Sequence, residues 1–141
     1  MSMQKVKINN RIIGDGYPTY IIAEMSANHS GSIERAKEII REAKRCGADC
    51  IKIQTYTADT ITMDCDNEYF QINDGSWSGE NLYSLYGKAY TPWEWHKELL
   101  EEAKQRDHRK IGKDLKLFVL AITDILNSNS EIIVLGEKSN M

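Results

Sequence analysis

The sequence predicts an α/β fold, and three consecutive features carry the prediction. Residues 20–25 are an apolar, β-rich run; Ile33, Ala36, Ile39, Ile40 and Ala43 then recur at helical spacing; residues 50–55 form a second β-rich run. A strand, an amphipathic helix and a strand in that order make a crossover unit whose two strands are parallel and whose connection is right-handed. The chain's 141 residues suffice for one ordinary domain or a piece of a larger one.

The elements can be justified in order. Residues 6–13, followed by the turn Gly14-Asp15-Gly16-Tyr17-Pro18, predict a short strand or hairpin arm leading into the strand at 20–25. Ser30-Gly31-Ser32 offers an N-cap to the helix, whose Glu34, Arg35, Lys37, Glu38, Arg41 and Glu42 face outward, and Gly47 suits its C-terminus. Residues 56–91 have no sustained period and are rich in Asp, Asn, Ser, Thr and Gly, so they read as one long loop. Its aromatic content argues against disorder, and a loop of that length inside a domain is usually functional. Thr91-Pro92 predicts a helix N-cap and first position, with Trp93, His96, Leu99, Leu100 and Ala103 carrying the helix to about residue 105. A polar run, Arg106-Asp107-His108-Arg109-Lys110, follows, then an apolar stretch at 115–122 and a strand candidate at 132–135.

Composition excludes several function classes. Lys and Arg number 18 against 21 Asp and Glu, mixed along the chain, which leaves no basic patch for nucleic acid or an anionic membrane. The longest apolar run, 117–122, falls far short of the ~18 residues of a membrane span, and no apolar signal segment follows a basic start. A cytoplasmic protein is expected. Cys46, Cys50 and Cys65 have neither CxxC spacing nor histidines at zinc-site offsets and read as plain thiols.

Chemistry concentrates at the ends of the two strands. The pleat sends Ile51, Ile53 and Thr55 to one face and Cys50, Lys52 and Gln54 to the other. With the helix on the Ile51 face, Lys52 points into a barrel lumen or a second layer, where an ammonium tends to acquire an anionic partner such as a phosphate or carboxylate. The plainer alternative is an edge strand or a lysine that snorkels to solvent. Glu24 and the loop Ser26-Ala27-Asn28-His29 lie past the C-terminal end of the first strand, where α/β proteins build active sites, although Asn28 and His29 also suit turn and capping roles. Trp77, Tyr83, Tyr86, Tyr90, Trp93 and Trp95 could present a platform to a sugar or pack the long loop, and packing is the plainer reading. His96 reads as a helix-surface histidine rather than a ligand.

Three motifs together, Ala23-Glu24-Met25-Ser26-Ala27-Asn28-His29-Ser30-Gly31-Ser32, Gly47-Ala48-Asp49-Cys50-Ile51-Lys52-Ile53-Gln54-Thr55-Tyr56-Thr57 and Thr91-Pro92-Trp93-Glu94-Trp95-His96, closely resemble the N-terminal part of the sialic acid synthase family. The likeness covers roughly residues 5–105. Gly75-x-Trp77 and Asn81-Leu82-Tyr83-x-Leu85-Tyr86 look most like the pseudaminic acid synthase branch, with the N-acetylneuraminate and legionaminate synthases as alternatives. The resemblance implies a partial TIM (β/α)8 barrel and an enzyme that condenses phosphoenolpyruvate with an acetamido-hexose aldehyde, giving a nine-carbon 2-keto sugar acid and phosphate. It implies a divalent metal, manganese or magnesium, that polarises the aldehyde. By the same resemblance Lys52 contacts phosphoenolpyruvate, Glu24 is the acidic residue near sugar and metal, and Asn28, His29, Gln54 and Thr55 line the same mouth. The implied partners are these small molecules, with neither nucleic acid nor membrane, and a family dimer is left open.

A whole barrel takes about 250 residues. The family's metal-binding histidines and its C-terminal antifreeze-like domain are expected to be missing here, since His29, His96 and His108 do not match those ligands. Residues 111–136 instead resemble a piece of the C-terminal domain of manganese-dependent family II inorganic pyrophosphatases. The expected division is 1–105 as the barrel part and 106–141 as a foreign tail, with no condensing activity in this chain alone. A non-catalytic remnant or partner-binding module, and a pyrophosphatase fragment, are the rival readings.

Overall fold

The computed structural model describes residues 5–8, 11–105, 116–121 and 133–134, the last two segments by their backbone alone. The polar run at 106–110, with His108, and most of the tail at 111–136 lie outside the described residues.

The chain starts with an antiparallel hairpin, β1 (Val6–Ile8) and β2 (Arg11–Ile13), in which Val6 faces Ile13. Arg11 ties the hairpin to the body. Its guanidinium pairs with Asp49, donates to the carbonyls of Pro18 and Thr19, and lies 5.3 Å from the Tyr20 ring centre. Asp49 in turn accepts from the Ile21 N–H at 2.9 Å. The strand expected at 20–25 is shorter, β3 (Ile22–Glu24), because Asp49 takes up the backbone at Ile21.

Helix α1 (Ile33–Arg45) is capped by Ser32, whose hydroxyl accepts from the Arg35 N–H. At its other end Gly47 adopts φ +87°, its N–H bonds the Lys44 carbonyl, and the Ala48 N–H bonds that of Ala43. This pair of bonds is the Schellman stop. It delivers the chain to β4 (Cys50–Thr55), which pairs in parallel with β3 so that Ile22 faces Cys50 and Glu24 faces Lys52.

Residues 56–91 are not one aperiodic loop. They contain a one-turn helix, α2 (Ala58–Ile61), two short 3-10 turns and a two-turn helix, α3 (Leu82–Ala89), which is N-capped by the Asn81 side chain accepting from Ser84. With only two turns and Gly87 inside it, α3 is too short for a helical period to stand out in the sequence. The helix expected from Thr91 also starts later. Pro92 opens a 3-10 turn at Trp93–Trp95, and only then does α4 (His96–Lys104) begin. The cause is Thr91, whose N–H is bound to the Gln54 carbonyl at 2.7 Å and which is therefore held against the sheet.

Strand β5 (Lys116–Ala121) pairs with β4 in parallel, and β6 (Ile133–Val134) adds antiparallel to β5, giving the sheet order β3-β4-β5-β6. β4 is thus interior, and the edge-strand reading of Lys52 does not hold. Helices α1 and α4 run parallel to each other. Lys37 pairs with Glu98 at 2.7 Å and Arg41 with Glu102 at 3.2 Å, four residues on along each helix, and Lys44 reaches the Gln105 carbonyl at the far ends. Between these helices and the sheet lies the core of Met25, Ala36, Ile40, Ile51, Ile53, Leu99 and Ala103. Ile51 and Ile53 are on the helix side as the pleat requires, which leaves Lys52 and Gln54 on the other face.

Candidate functional site at the strand ends

Parallel pairing brings Glu24, the last residue of β3, side by side with Lys52, which lies midway along β4. Lys52 Nζ lies 2.8 Å from Glu24 Oε1; the lysine is 21% exposed and the carboxylate 56%. The ammonium is therefore held on the sheet's open face by a carboxylate that water reaches easily. An incoming anion can compete for such a cation, because the existing pair is screened and worth little. Gln54, next along the same face, is partly buried.

The loop after β3 is tightly wound. Ser26 and Ser30 adopt left-handed backbone conformations, φ 48° and 49°, and Gly31 follows at φ 72°. Such conformations cost non-glycine residues free energy and persist where surrounding bonds enforce them. Here the Asn28 side chain and N–H both donate to the Met25 carbonyl, Ser30 donates to Ala27, and Ser32 to His29. Asn28 is thus an exposed loop tie at the mouth. His29 turns inward: it is 1% exposed, its Nδ1 accepts from the Gly31 N–H, and its ring meets Trp95 edge-on at 5.3 Å. Nε2 therefore carries the proton, and it has no partner among the described residues. Burial pushes the imidazole pKa down.

Thr55 is fully buried on the Ile51 face, and its hydroxyl donates to the Thr91 carbonyl at 2.8 Å while meeting His96 Nε2 at 2.6 Å. His96 is half-buried rather than a surface histidine: it faces the buried Thr55, lies 5.2 Å from the half-exposed Trp93, and has its pKa lowered chiefly by burial, against an opposing effect of Glu94. Sequence reasoning missed this contact, yet one signal pointed to it. Thr55 shares the parity of the core residues Ile51 and Ile53, and a hydroxyl on a buried face needs partners.

The aromatic residues are divided. Tyr56 stacks edge-on with Tyr86 at 5.7 Å and lies 6.4 Å from Tyr90, which packs the long excursion onto β4. Trp77 and Trp93 are each partly open to solvent. A divalent metal would need several hard or imidazole ligands in one place. Among the described residues no three of His, Cys, Asp or Glu gather, and the Glu24 carboxylate is engaged by Lys52. These residues do not fit a metal site of their own. Cys46, Cys50 and Cys65 are thiols spread over separate elements.

Residues 39–111 match the NeuB family. The chain is 53% identical over 85 residues to a pseudaminic acid synthase of Campylobacter jejuni, covering 60% of this chain and 25% of that protein. It is 47% identical over 110 residues to the pseudaminic acid synthase of Helicobacter pylori, covering 78% and 32%. Among solved structures, it is similar to the N-acetylneuraminic acid (sialic acid) synthetase of Leptospira borgpetersenii, with TM-score 0.61 and 27% identity over 89% of this chain and 36% of the other. The chain spans about a quarter to a third of the length of these curated relatives.

Proposed function

Because the chain belongs to the NeuB family, we propose that residues 1–105 are the N-terminal part of a (β/α)8 barrel that condenses phosphoenolpyruvate with the aldehyde of an acetamido-hexose. The tail at 106–141 is, in this proposal, foreign in sequence to that unit, although its strand β5 joins the sheet beside β4. Carbon 3 of phosphoenolpyruvate bonds to the aldehyde carbon, water adds at carbon 2, and the bond to phosphate breaks, giving a nine-carbon 2-keto sugar acid and inorganic phosphate. The likeness to a pseudaminic acid synthase extends over 85 residues, against 44 for an N-acetylneuraminate-9-phosphate synthase of similar identity, which favours that product and with it a cytoplasmic role in making a surface glycan. No helix among the described residues is long and apolar enough to cross a membrane.

One observation supports the reading above the others: the register that seats Lys52, midway along β4, beside Glu24 at the C-terminal end of β3, so that the pair faces the end of the sheet where barrel enzymes bind substrate. In this proposal Lys52 takes an anionic group of phosphoenolpyruvate, releasing Glu24 toward the sugar side. Gln54 and Asn28 border the same mouth. Thr55 and His29, whose polar atoms face inward, shape it from beneath. The family's divalent metal would belong to residues other than those described. The 141-residue chain alone is expected to release no phosphate from phosphoenolpyruvate and sugar.

The test is a titration of the full chain with phosphoenolpyruvate, followed by amide NMR shifts. Binding on the order of 1 mM is expected, centred on 24, 52 and 54. Lys52→Ala should abolish it and Lys104→Ala, an exposed lysine at the far end of α4, should leave it intact. Equal responses in the two variants would make Lys52 an ordinary surface lysine.

A further inference from the structure

The 56–90 excursion leaves the sheet after Thr55 and has to come back to it, and the return is closed by three hydrogen bonds in one place. The Thr91 N–H donates to the Gln54 carbonyl at 2.7 Å, the Thr55 hydroxyl donates to the Thr91 carbonyl at 2.8 Å, and Thr55 Oγ1 meets His96 Nε2 at 2.6 Å. A threonine has one hydroxyl proton, and here it is given to Thr91. The third bond can then form only if His96 Nε2 is the donor, which fixes the tautomer with Nδ1 unprotonated. Were Nδ1 to hold the proton instead, Thr55 would have to choose between His96 and Thr91, and one acceptor in a buried cluster would go without a partner, at a cost comparable to a lost hydrogen bond. The cluster also touches the other loop of the mouth, since Trp95 in the same turn packs against the His29 ring.

We propose that His96 is a positioning residue for the anion site at Lys52: donating from Nε2 to Thr55, it locks the excursion's return against the last two residues of β4 and so sets where Gln54 and Lys52 stand. This role rests on the function proposed above. Thr91 grips the chain at Gln54 and Thr55 together, its N–H on the Gln54 carbonyl and its carbonyl on the Thr55 hydroxyl. Gln54 shares the open face with Lys52, two residues away along one strand, so a shift of this peptide moves the side chain that follows Lys52 on that face.

The experiment compares the full-length wild type with His96→Gln, His96→Leu and Lys52→Ala. A glutamine amide N–H stands close to where Nε2–H was, whereas leucine fills the space without a donor. Each protein is titrated with phosphoenolpyruvate and with inorganic phosphate, reading amide shifts of the folded species, which NMR separates from any unfolded fraction. His96→Leu should weaken binding about tenfold, the consequence of leaving a buried partner unsatisfied, and move the Gln54 and Thr55 amides in the free protein. His96→Gln should restore both to within about twofold of wild type. Long-range proton-nitrogen spectra of the wild-type ring should show a protonated Nε2.

A neutral ring with the proton on Nδ1 and none on Nε2, or a His96→Leu protein that binds as wild type while Lys52→Ala does not, would overturn the positioning role and leave the anion site standing. A His96→Gln protein as weak as His96→Leu would likewise overturn it, because ring packing and not the donor would then matter. Wild type that binds neither probe, or Lys52→Ala that binds both, would overturn the site itself and the positioning role with it.

Discussion

Lys52 and Glu24 satisfy each other in a pair that is part open to water, so any anion that takes the ammonium must first displace a carboxylate. Removing that competitor should help the anion. Glu24→Gln is expected to tighten inorganic phosphate binding by up to about fivefold, the equivalent of the ~0.2–1 kcal/mol that exposed ion pairs contribute. Unchanged affinity by NMR titration would mean that phosphate does not bind at Lys52. His29 makes a prediction of opposite flavour, about stability. Its folded pKa lies below the ordinary value of about 6.5 because of burial, so the unfolded chain takes up the proton first. Stability is then fully present above about pH 6.5 and declines as pH falls through that value, at no more than ~1.4 kcal/mol per pH unit for one proton. His96 acts in the same sense. Melting temperature should therefore drop between about pH 7.5 and 5.5, and His29→Phe should flatten part of the drop; an unchanged slope in that variant would show that the buried imidazole is not the group responsible.

At the scale of elements, α1 shows how fully local chemistry can specify an end point. Ser32 caps it, Gly47 stops it, and a Cβ built on Gly47 meets nothing within 4 Å. Gly47→Ala is thus free of steric clash and penalised only for its φ of +87°, by about 1–2 kcal/mol. Urea unfolding should show that loss with an unchanged slope, and a neutral substitution would mean that the stop is not stabilising. The strand-helix-strand unit was legible in the sequence because each piece carries a short-range signature: alternation in Cys50–Thr55, a 3.6-residue period in Ile33–Arg45, cap residues at both helix ends. Lys52 and Glu24 were legible for the same reason, parity along a strand. Helix α3 and the late start of α4 were not. The first is set by a single Asn81 cap, and the second by a bond from Thr91 to Gln54, a residue on the far side of the excursion. His96 escaped notice because a helix-start histidine looks the same in sequence whether it faces water or a buried threonine.

For the whole molecule, the sheet order leaves β3 paired on one side only among the described residues, with Ile21 and Ile22 each about half exposed. In a closed barrel such an edge would find another strand, and the curated relatives are three to four times as long as the part matched here. The flank of α1 away from α4 adds a groove that includes Ile39 and Ala43. An unpaired strand edge beside apolar side chains is a template for intermolecular pairing. The 141-residue chain on its own is therefore expected to self-associate, its average mass in sedimentation velocity rising with concentration. Ile22→Lys places a charge at that edge in the manner of protected natural edges and should shift the population toward monomer without changing the parallel β4–β5 pairing. A wild type that stays a monodisperse monomer with a sharp, cooperative melt would show instead that the edge is covered within the chain, and that the fold stands alone without the remainder of a barrel.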